Sequence, residues 1–127
     1  MTCLLAALDH VQLAMPAGEE ARARAFYEGI LGLNELTKPE PLQARGGCWF
    51  EHASVAVHLG VEAEFRPARK AHPAFVVRDL DALASKLTQA SYDVTWDEAL
   101  LPEIRRFYAY DPFGNRLEFL THLTHKD

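Results

Sequence analysis

The chain has 127 residues, of which 49% are hydrophobic and 10% aromatic, enough to build the core of one globular domain. This composition excludes an intrinsically disordered chain. The 13 basic side chains are outnumbered by 18 acidic ones, which gives a net charge of −5, so a nucleic-acid partner is not expected.

The N-terminal residues and the cysteines indicate where the protein works. The first eight residues lack the basic start and the cleavage pattern of a secretory signal, and Asp9 cuts their apolar run short, so neither export nor a membrane segment is expected. Cys3 and Cys48 are too few and too far apart for a disulfide framework or a zinc knuckle. We therefore expect free thiols and a cytoplasmic location.

The first half of the chain predicts a strand, a helix and three further strands. Residues Leu8–Met15 alternate in polarity with the period of a strand. From Glu19 the apolar residues recur at the spacing of a helix, which is predicted to end at Gly32. Two prolines in Lys38–Arg45 exclude a central strand and predict a loop there. The further strands are predicted over Leu33–Thr37, Gly46–Glu51 and Ser54–Val61.

After a connector over Glu64–Lys70, the second half of the chain repeats this order of elements. Asp79 is placed to cap a helix whose apolar residues follow the i, i+3, i+4, i+7 rule. A loop through Pro102 precedes the last two strands. Asp111–Asn115 joins them as a hairpin turn, because its Pro presets φ and its Gly-Asn allows positive φ. The strands are predicted over Ala71–Val77, Tyr92–Trp96, Arg105–Tyr110 and Arg116–Leu120.

The repeated order of elements predicts the fold. Two βαβββ modules, at about residues 6–62 and about residues 70–122, form a curved mixed sheet in a single α+β domain over residues 1–127. A doubly wound parallel sheet is excluded because three strands in succession follow each helix. The open sheet edges of such modules favour a homodimer.

Three histidines and one glutamate take equivalent positions in the two modules. His10 and His72 lie on the first strand of each module, whereas His58 and Glu118 lie on the last strand. If a pseudo-twofold axis relates the modules, these four side chains converge on one point. Imidazole nitrogens and carboxylate oxygens are the usual ligands of Zn, Ni, Fe or Mn ions. A buried Glu118 also costs several kcal/mol unless it is paired or bound to a cation, so the pattern predicts a divalent metal site.

Four segments of the chain resemble the vicinal oxygen chelate superfamily, the group of glyoxalase I, the bleomycin- and fosfomycin-resistance proteins and the extradiol dioxygenases. The segments are Leu8–Leu13, Phe26–Leu33, Ala71–Asp81 and Asp111–Phe119. The resemblance implies the fold of that superfamily. It assigns the metal ligands to His10, His72 and Glu118, with His58 at the fourth position.

The fourth ligand position departs from the glyoxalase I pattern, for which the resemblance implies Glu or Gln where this chain has His58. The departure puts lactoylglutathione chemistry in doubt. Glu62 lies further along the same strand face and is the only nearby carboxylate that could replace His58. It could also serve as a general base, so Glu62 and Glu118 are the candidate catalytic carboxylates.

Side chains on the same strand faces as the ligands are expected to bind the substrate. The arginine near Glu118 could pair an anionic group of the substrate or form a surface salt bridge. The tyrosine on the preceding strand could donate to an oxyanion or simply pack. Of the adjacent Trp49 and Phe50, one should project toward the ligands. The candidates for substrate binding are Gln12, Trp49, Tyr108 and Arg116.

Three classes of function remain open. The first is a metal-dependent enzyme that chelates the oxygens of a small molecule as a lyase, an isomerase or a dioxygenase, with glyoxalase-like activity as the leading expectation. The second is a metal-free binding protein of the bleomycin-sequestering kind. The third is a thiol transferase that inactivates an antibiotic such as fosfomycin, which needs several cations for the phosphonate; Arg116 and Arg106 are the candidates.

Overall fold

The strands and helices of the computed structural model follow the predicted order in two compact units, Met1–Phe65 and the chain from Arg66 onward. The structure describes residues 1–97 and 103–123, so most of the loop predicted through Pro102 lies outside the described residues. The elements of the first unit are β1 Val11–Met15, α1 Glu20–Tyr27, β2 Asn34–Leu36, α2 Glu40–Gln43, β3 Cys48–His52 and β4 Val55–Val61. Those of the second unit are β5 Ala74–Val76, α3 Leu80–Gln89, β6 Thr95–Trp96, β7 Ile104–Tyr110 and β8 Arg116–His122.

Each unit contains a four-stranded mixed sheet. The strand order is β1-β4-β3-β2 in the first sheet and β5-β8-β7-β6 in the second. In both sheets the first strand of the unit runs parallel to the last, and the other neighbours are antiparallel. The predicted α+β fold of two βαβββ modules is confirmed. The candidate ligands lie on, or just before, the first and the last strand of each unit. These two strands are neighbours in both sheets.

The core of the first unit lies between its sheet and α1. Alternation along β4 buries Val57 completely and turns His58 to the other face. Phe26 and Tyr27 of α1 are buried together with Phe50 of β3, and the rings of Tyr27 and Phe50 stack 5.5 Å apart. Burying one such side chain stabilises the fold by roughly 1.5–3 kcal/mol, so this apolar face holds the helix to the sheet.

The second unit repeats this packing with different residues. Phe107 and Phe119 are buried with their ring centroids 5.3 Å apart. Helix α3 begins after Asp79, whose carboxylate accepts a hydrogen bond of 3.0 Å from the backbone N–H of Ala82, so the predicted cap is confirmed. The buried residues of this helix are Leu80, Ala84 and Leu87.

The turn between β7 and β8 fixes the register of the two strands. Asp111 Oδ1 accepts hydrogen bonds of 2.9 Å from the backbone N–H groups of the second and the fourth residue after it. Gly114 has a φ of 90°, a left-handed conformation that glycine adopts without steric cost. The predicted hairpin is confirmed, and its register places Tyr108 opposite Glu118.

Two helical segments differ from the prediction. The short helix α2 lies inside the predicted loop, because its prolines occupy the cap position and the first turn, where a missing N–H costs no hydrogen bond. Helix α1 ends at Tyr27 rather than just before Gly32, because the N–H groups of Gly29 and Leu31 bond to carbonyls five residues back. Among the described residues, no helix is both long enough and apolar enough to cross a bilayer.

The first strand of each unit is shorter than predicted. Backbone pairing begins at Val11 in β1 and at Ala74 in β5, so His10 and His72 lie just before these strands rather than within them. In the second unit Pro73 intervenes, and a proline has no N–H to donate to a strand ladder. Both histidines therefore belong to the segments that lead into the first strands.

Candidate functional site

Glu118 is a buried carboxylate on the polar face of the second sheet. It lies in β8 between Leu117 and Phe119, which are buried in the core, so strand alternation turns its side chain to the opposite face. Only 6% of the residue is exposed. A buried charge costs several kcal/mol unless it is paired, and two neighbouring side chains supply partners.

His72 is the first of these partners. Its Nε2 lies 2.9 Å from Glu118 Oε1, and its Nδ1 lies 2.8 Å from the carbonyl oxygen of Lys70. Because a carbonyl oxygen only accepts, Nδ1 carries a proton and donates it to this hydrogen bond. The bond fixes the ring with Nε2 directed at the carboxylate. Histidines that ligate metals are held in the same way, by a hydrogen bond from the other ring nitrogen.

Arg106 is the second partner of Glu118. Its Nη1 lies 3.4 Å from Glu118 Oε2, while its Nε and Nη2 donate to Asp97 Oδ2 at 3.0 and 2.8 Å. The hydrogen bond to Asp97 raises the pKa of Arg106 above its ordinary value. The shortest hydrogen bonds of Arg106 go to Asp97, so its positive charge is already paired with a carboxylate.

Tyr108 lies opposite Glu118 and contacts three charged or titratable side chains. The Cζ atoms of Arg116 and Arg106 lie 4.2 and 5.5 Å from the centre of its ring, and the His72 ring meets it edge-on at 5.5 Å. Arg116 forms no ion pair with any described residue, and its buried Nε has no hydrogen-bond partner among them. Among the described residues, the contact that holds its guanidinium group is the stacking on Tyr108.

Three aromatic rings form a stack on the polar face of the first sheet. The rings of Trp49 and His58 lie 4.1 Å apart at an interplanar angle of 8°, and those of His58 and His10 lie 4.0 Å apart at 16°. The strand register explains the order of the rings in the stack. His58 pairs with Trp49 on one side and with Gln12 on the other, and His10 lies two residues before Gln12. Phe50 points the other way and is buried in the core.

The two histidines of this stack differ in their surroundings. His10 Nδ1 lies 2.8 Å from Asp9 Oδ2, which leaves Nε2 as the nitrogen available for a ligand. His58 is half-buried between two rings. Its burial, and to a smaller degree the charge of His10, lowers the pKa of His58 below its ordinary value.

Gln12 and Glu62 have fewer contacts. The amide of Gln12 occupies space over Gly60, where any Cβ would overlap its Nε2. Glu62 is exposed just beyond the end of β4, where its backbone N–H donates to the carbonyl of Met15 at 2.9 Å. Its carboxylate forms no hydrogen bond with the described residues, and its role as a base or a ligand stays a prediction.

The four predicted ligands occur as two pairs, His10 with His58 in the first unit and His72 with Glu118 in the second. Within residues 1–97 and 103–123, no group of three or more His, Cys, Asp or Glu side chains is placed to hold a metal ion.

Sequence reasoning missed the carboxylates of Asp9 and Asp97. Asp9 has a local signal, because it directly precedes a candidate ligand. Asp97 has none, because it reaches Arg106 only through the pairing of β6 with β7.

The pair of His72 and Glu118 suits a divalent metal ion. An imidazole nitrogen and a carboxylate oxygen are the ligand atoms that Zn, Ni, Fe or Mn ions take from proteins. The observed separation of Nε2 and Oε1 is 2.9 Å. The pair of His10 and His58 suits one ion poorly, because the lone pair of an imidazole lies in the ring plane and these two planes are stacked.

The chain is similar to known proteins over nearly its whole length. The family model of the Glyoxalase/Bleomycin resistance protein/Dioxygenase superfamily matches residues 7–119. A crystal structure from Bacillus anthracis, of a protein assigned to the glyoxalase family, is 46% identical with a TM-score of 0.90, and the match covers 96% of this chain and 99% of that chain. No curated protein matches the chain.

More distant structures share the fold. The fosfomycin resistance protein FosX from Listeria monocytogenes is 16% identical, with a TM-score of 0.74 and coverage of 93% of this chain and 94% of that chain. A glyoxalase/dioxygenase from Nostoc punctiforme is 23% identical, with a TM-score of 0.70 and coverage of 96% and 98%. Because the family model spans most of its length, this protein belongs to the glyoxalase/bleomycin resistance/dioxygenase superfamily.

Proposed function

We propose that the protein is a divalent-metal-dependent, glyoxalase-like enzyme that acts on a small oxygen-bearing molecule. His72 and Glu118 of the second unit would hold the ion. The observation that carries the proposal is the buried carboxylate 2.9 Å from an imidazole whose other nitrogen is fixed by a backbone carbonyl.

The ion would supply Lewis-acid polarisation of the substrate oxygens. The chain itself binds and orients the rest of the substrate. Arg116, which stacks on Tyr108 and lacks an ion-pair partner among the described residues, would donate to an anionic group of the substrate. Arg106 contacts Oε2 of Glu118, whereas the ion would replace the hydrogen bond between Glu118 Oε1 and His72 Nε2. Zn, Ni, Fe and Mn all suit these donor atoms.

The family and the ligand atoms support more than one reaction class. The similar structure from Bacillus anthracis is assigned to the glyoxalase family, which supports a lyase or isomerase. A dioxygenase reaction also suits an ion held by imidazole and carboxylate ligands. A fosfomycin-type thiol transferase has less support, because Arg106 is paired with Asp97, so that of the two candidate arginines Arg116 alone is left to bind a phosphonate.

A metal-free binding protein of the bleomycin-resistance type is the second candidate. The observation that favours it is the pairing of Glu118 with both His72 and Arg106, which compensates the buried carboxylate without an ion. The ring stack that contains Trp49 would then offer an aromatic surface to a flat ligand.

Turnover assays on chelator-treated and metal-reconstituted protein separate these candidates. We expect turnover of a 2-oxoaldehyde–thiol adduct or a catechol only after metal is restored, and loss of that turnover in Glu118→Gln. The matched control is Glu40→Gln, a change at an exposed carboxylate of α2. Turnover that survives complete removal of metal contradicts the proposal. Tight binding of bleomycin with neither metal nor turnover would favour the second candidate.

A further inference from the structure

We propose that an apolar strip beside Glu118 binds an apolar group of the substrate, so that the substrate is an organic anion with an apolar substituent. The strip consists of Ala74 and Val76 on β5 and Leu120 on β8. The inference rests on the proposed function, because it takes Glu118 and Arg116 as parts of the substrate site.

The strand register places the apolar strip on the same face of the second sheet as Glu118. Ala74 pairs with Glu118, and Val76 pairs with Leu120. Between the two strip residues of β5, Phe75 stacks at 5.7 Å on a phenylalanine ring that is buried in the core. Because side chains alternate along a strand, the residues on either side of Phe75 point to the opposite face. The strip therefore adjoins the buried carboxylate on the polar face of the sheet.

The first unit has the opposite arrangement at the equivalent positions. In the pairing of its first strand with its last, Gln12 takes the place of Ala74, and Gly60 takes the place of Leu120. A Cβ added to Gly60 would overlap Gln12 Nε2, so the amide covers this place. In the second unit the alanine is too short to cover its neighbour, and Val76 is 69% exposed. The second unit thus leaves open an apolar place that the first unit covers with an amide.

The spacing between the strip and the arginine sets the size of the ligand. Arg116 stacks on Tyr108, which pairs with Glu118. Leu120 follows two residues after Glu118 on the same face, which is about 7 Å along the strand. One ring or a short alkyl chain spans such a distance. An anionic group at Arg116 therefore brings a substituent of this size over the strip, where contact between the two apolar surfaces releases water and favours binding.

The charged neighbour of the strip already has a partner. Arg106 lies opposite Leu120 on β7. Its guanidinium group donates hydrogen bonds of 3.0 and 2.8 Å to Asp97, so its charge needs no partner from the ligand. The anionic group of the ligand is therefore assigned to Arg116, and the apolar group is assigned to the strip.

Two probes that differ in one phenyl group test the strip. In chelator-treated protein, we expect phenyl phosphate to bind about tenfold tighter than inorganic phosphate, as burial of roughly 60 Å² of apolar surface implies. NMR shift titration measures both dissociation constants. Val76→Ser should reduce this preference to about threefold or less and leave the affinity for inorganic phosphate unchanged. The matched control is Leu123→Ser, at a leucine that is 55% exposed just after β8, and it should keep the preference of the native protein.

Ala74→Gln provides an independent variant, because it introduces into the second unit the amide that covers the equivalent place in the first. We expect it to reduce the preference for phenyl phosphate although Val76 and Leu120 are still present. Arg116→Gln should weaken the binding of both probes by the same factor, since it removes the partner of the shared phosphate group and leaves the strip intact.

Three results would overturn the inference. They are failure of phenyl phosphate to bind, equal affinities of the native protein for the two probes, and a preference that both Val76→Ser and Ala74→Gln retain. Sedimentation equilibrium tests a second copy of the chain as the other occupant of an exposed apolar strip. If Val76→Ser shifts a native dimer toward the monomer and keeps the phenyl preference, the strip is a contact between copies and the inference is wrong.

The titrations also separate the inference from the proposed function, because they use protein from which metal has been removed. A native protein that never holds a divalent ion would contradict the proposed metal-dependent enzyme and would leave a measured phenyl preference unchanged. Equal affinities for the two probes in a protein that does bind one divalent ion would overturn the inference alone.

Discussion

The surroundings of Arg116 favour one of the two interpretations that its sequence position leaves open. A surface salt bridge requires an acidic partner, and none of the described residues forms one with it. Stacking on Tyr108 at 4.2 Å holds the guanidinium group. An anionic group of the substrate would provide the charged partner that the described residues do not.

Arg116→Gln should therefore weaken the binding of a simple anion. In chelator-treated protein, we expect the affinity for inorganic phosphate, followed by NMR shift titration, to fall by about tenfold or more, as removal of a charged hydrogen-bond donor implies. Arg105→Gln is the control, because the Arg105 guanidinium already pairs with Asp81. Equal affinities in the native protein and Arg116→Gln would leave Arg116 without a role in anion binding.

Strand parity made part of the candidate site predictable. It placed Glu118, Arg116 and Tyr108 on one face, because the direction of a side chain in a strand depends only on its position in the alternation. The stacking of His58 was not predictable, because the angle of a ring depends on rotamers and on neighbours outside its own strand. The partner of Arg106 was missed for the same reason.

At the scale of elements, local signals identified what begins and ends a segment. The side chain of Asp79 caps α3, and Asp111–Asn115 closes the β7–β8 hairpin as predicted. The helix α2 has only four residues, too few to show a periodic pattern. The early end of α1 depends on a wider turn of hydrogen bonds that apolar spacing does not reveal.

The cap of α3 should contribute measurably to stability. We expect Asp79→Ala to lower the free energy of unfolding by about 1 kcal/mol, because the backbone N–H of Ala82 loses its acceptor. Asp79→Asn keeps an acceptor and is the matched control. Urea titrations of the two variants at pH 7 measure the difference, and equal midpoints would show that the cap does not stabilise the helix.

The carboxylate of Glu20 in α1 is hydrogen-bonded to the residue before β3, and this bond makes the stability of the protein depend on pH. Glu20 Oε2 accepts a hydrogen bond of 2.9 Å from the backbone N–H of Gly47, which lowers the pKa of Glu20 below 4.5. The pKa of Glu20 is lower in the folded protein than in the unfolded chain. The hydrogen bond therefore contributes fully to stability at pH values above the pKa of the unfolded chain, and this contribution is lost as the pH falls through the pKa of the folded protein.

Glu20→Gln should therefore destabilise the protein more at pH 7 than at pH 3. Urea unfolding at both pH values measures this, with the exposed Glu40→Gln as a control for loss of charge alone. A difference between native protein and Glu20→Gln that is independent of pH would show that the ionised carboxylate does not favour the folded state.

At the scale of the whole molecule, the surface supports the expected homodimer. β1 and β5 each lie at one edge of their own sheet. The N-terminal segment leaves Leu4, Leu5 and Leu8 94%, 85% and 78% exposed. Open strand edges and grouped apolar side chains are common features of surfaces that pair with another chain.

We expect sedimentation equilibrium to show a dimer at micromolar concentration. Replacing Leu4, Leu5 and Leu8 together by serine should shift the equilibrium toward the monomer. Leucines this exposed contribute little to the stability of one chain, so thermal melting of the separated monomer serves as the control for folding. A native protein that sediments as a monomer would refute the expected assembly.

The proposed enzyme depends on a divalent ion held by His72 and Glu118, and metal content tests this most directly. Protein purified without chelators should contain about one divalent ion per chain by plasma mass spectrometry, as should His122→Ala, which alters an exposed histidine at the end of β8. His72→Ala should contain almost none. Native protein without a bound ion, or His72→Ala that retains a full equivalent, would contradict the proposed metal site.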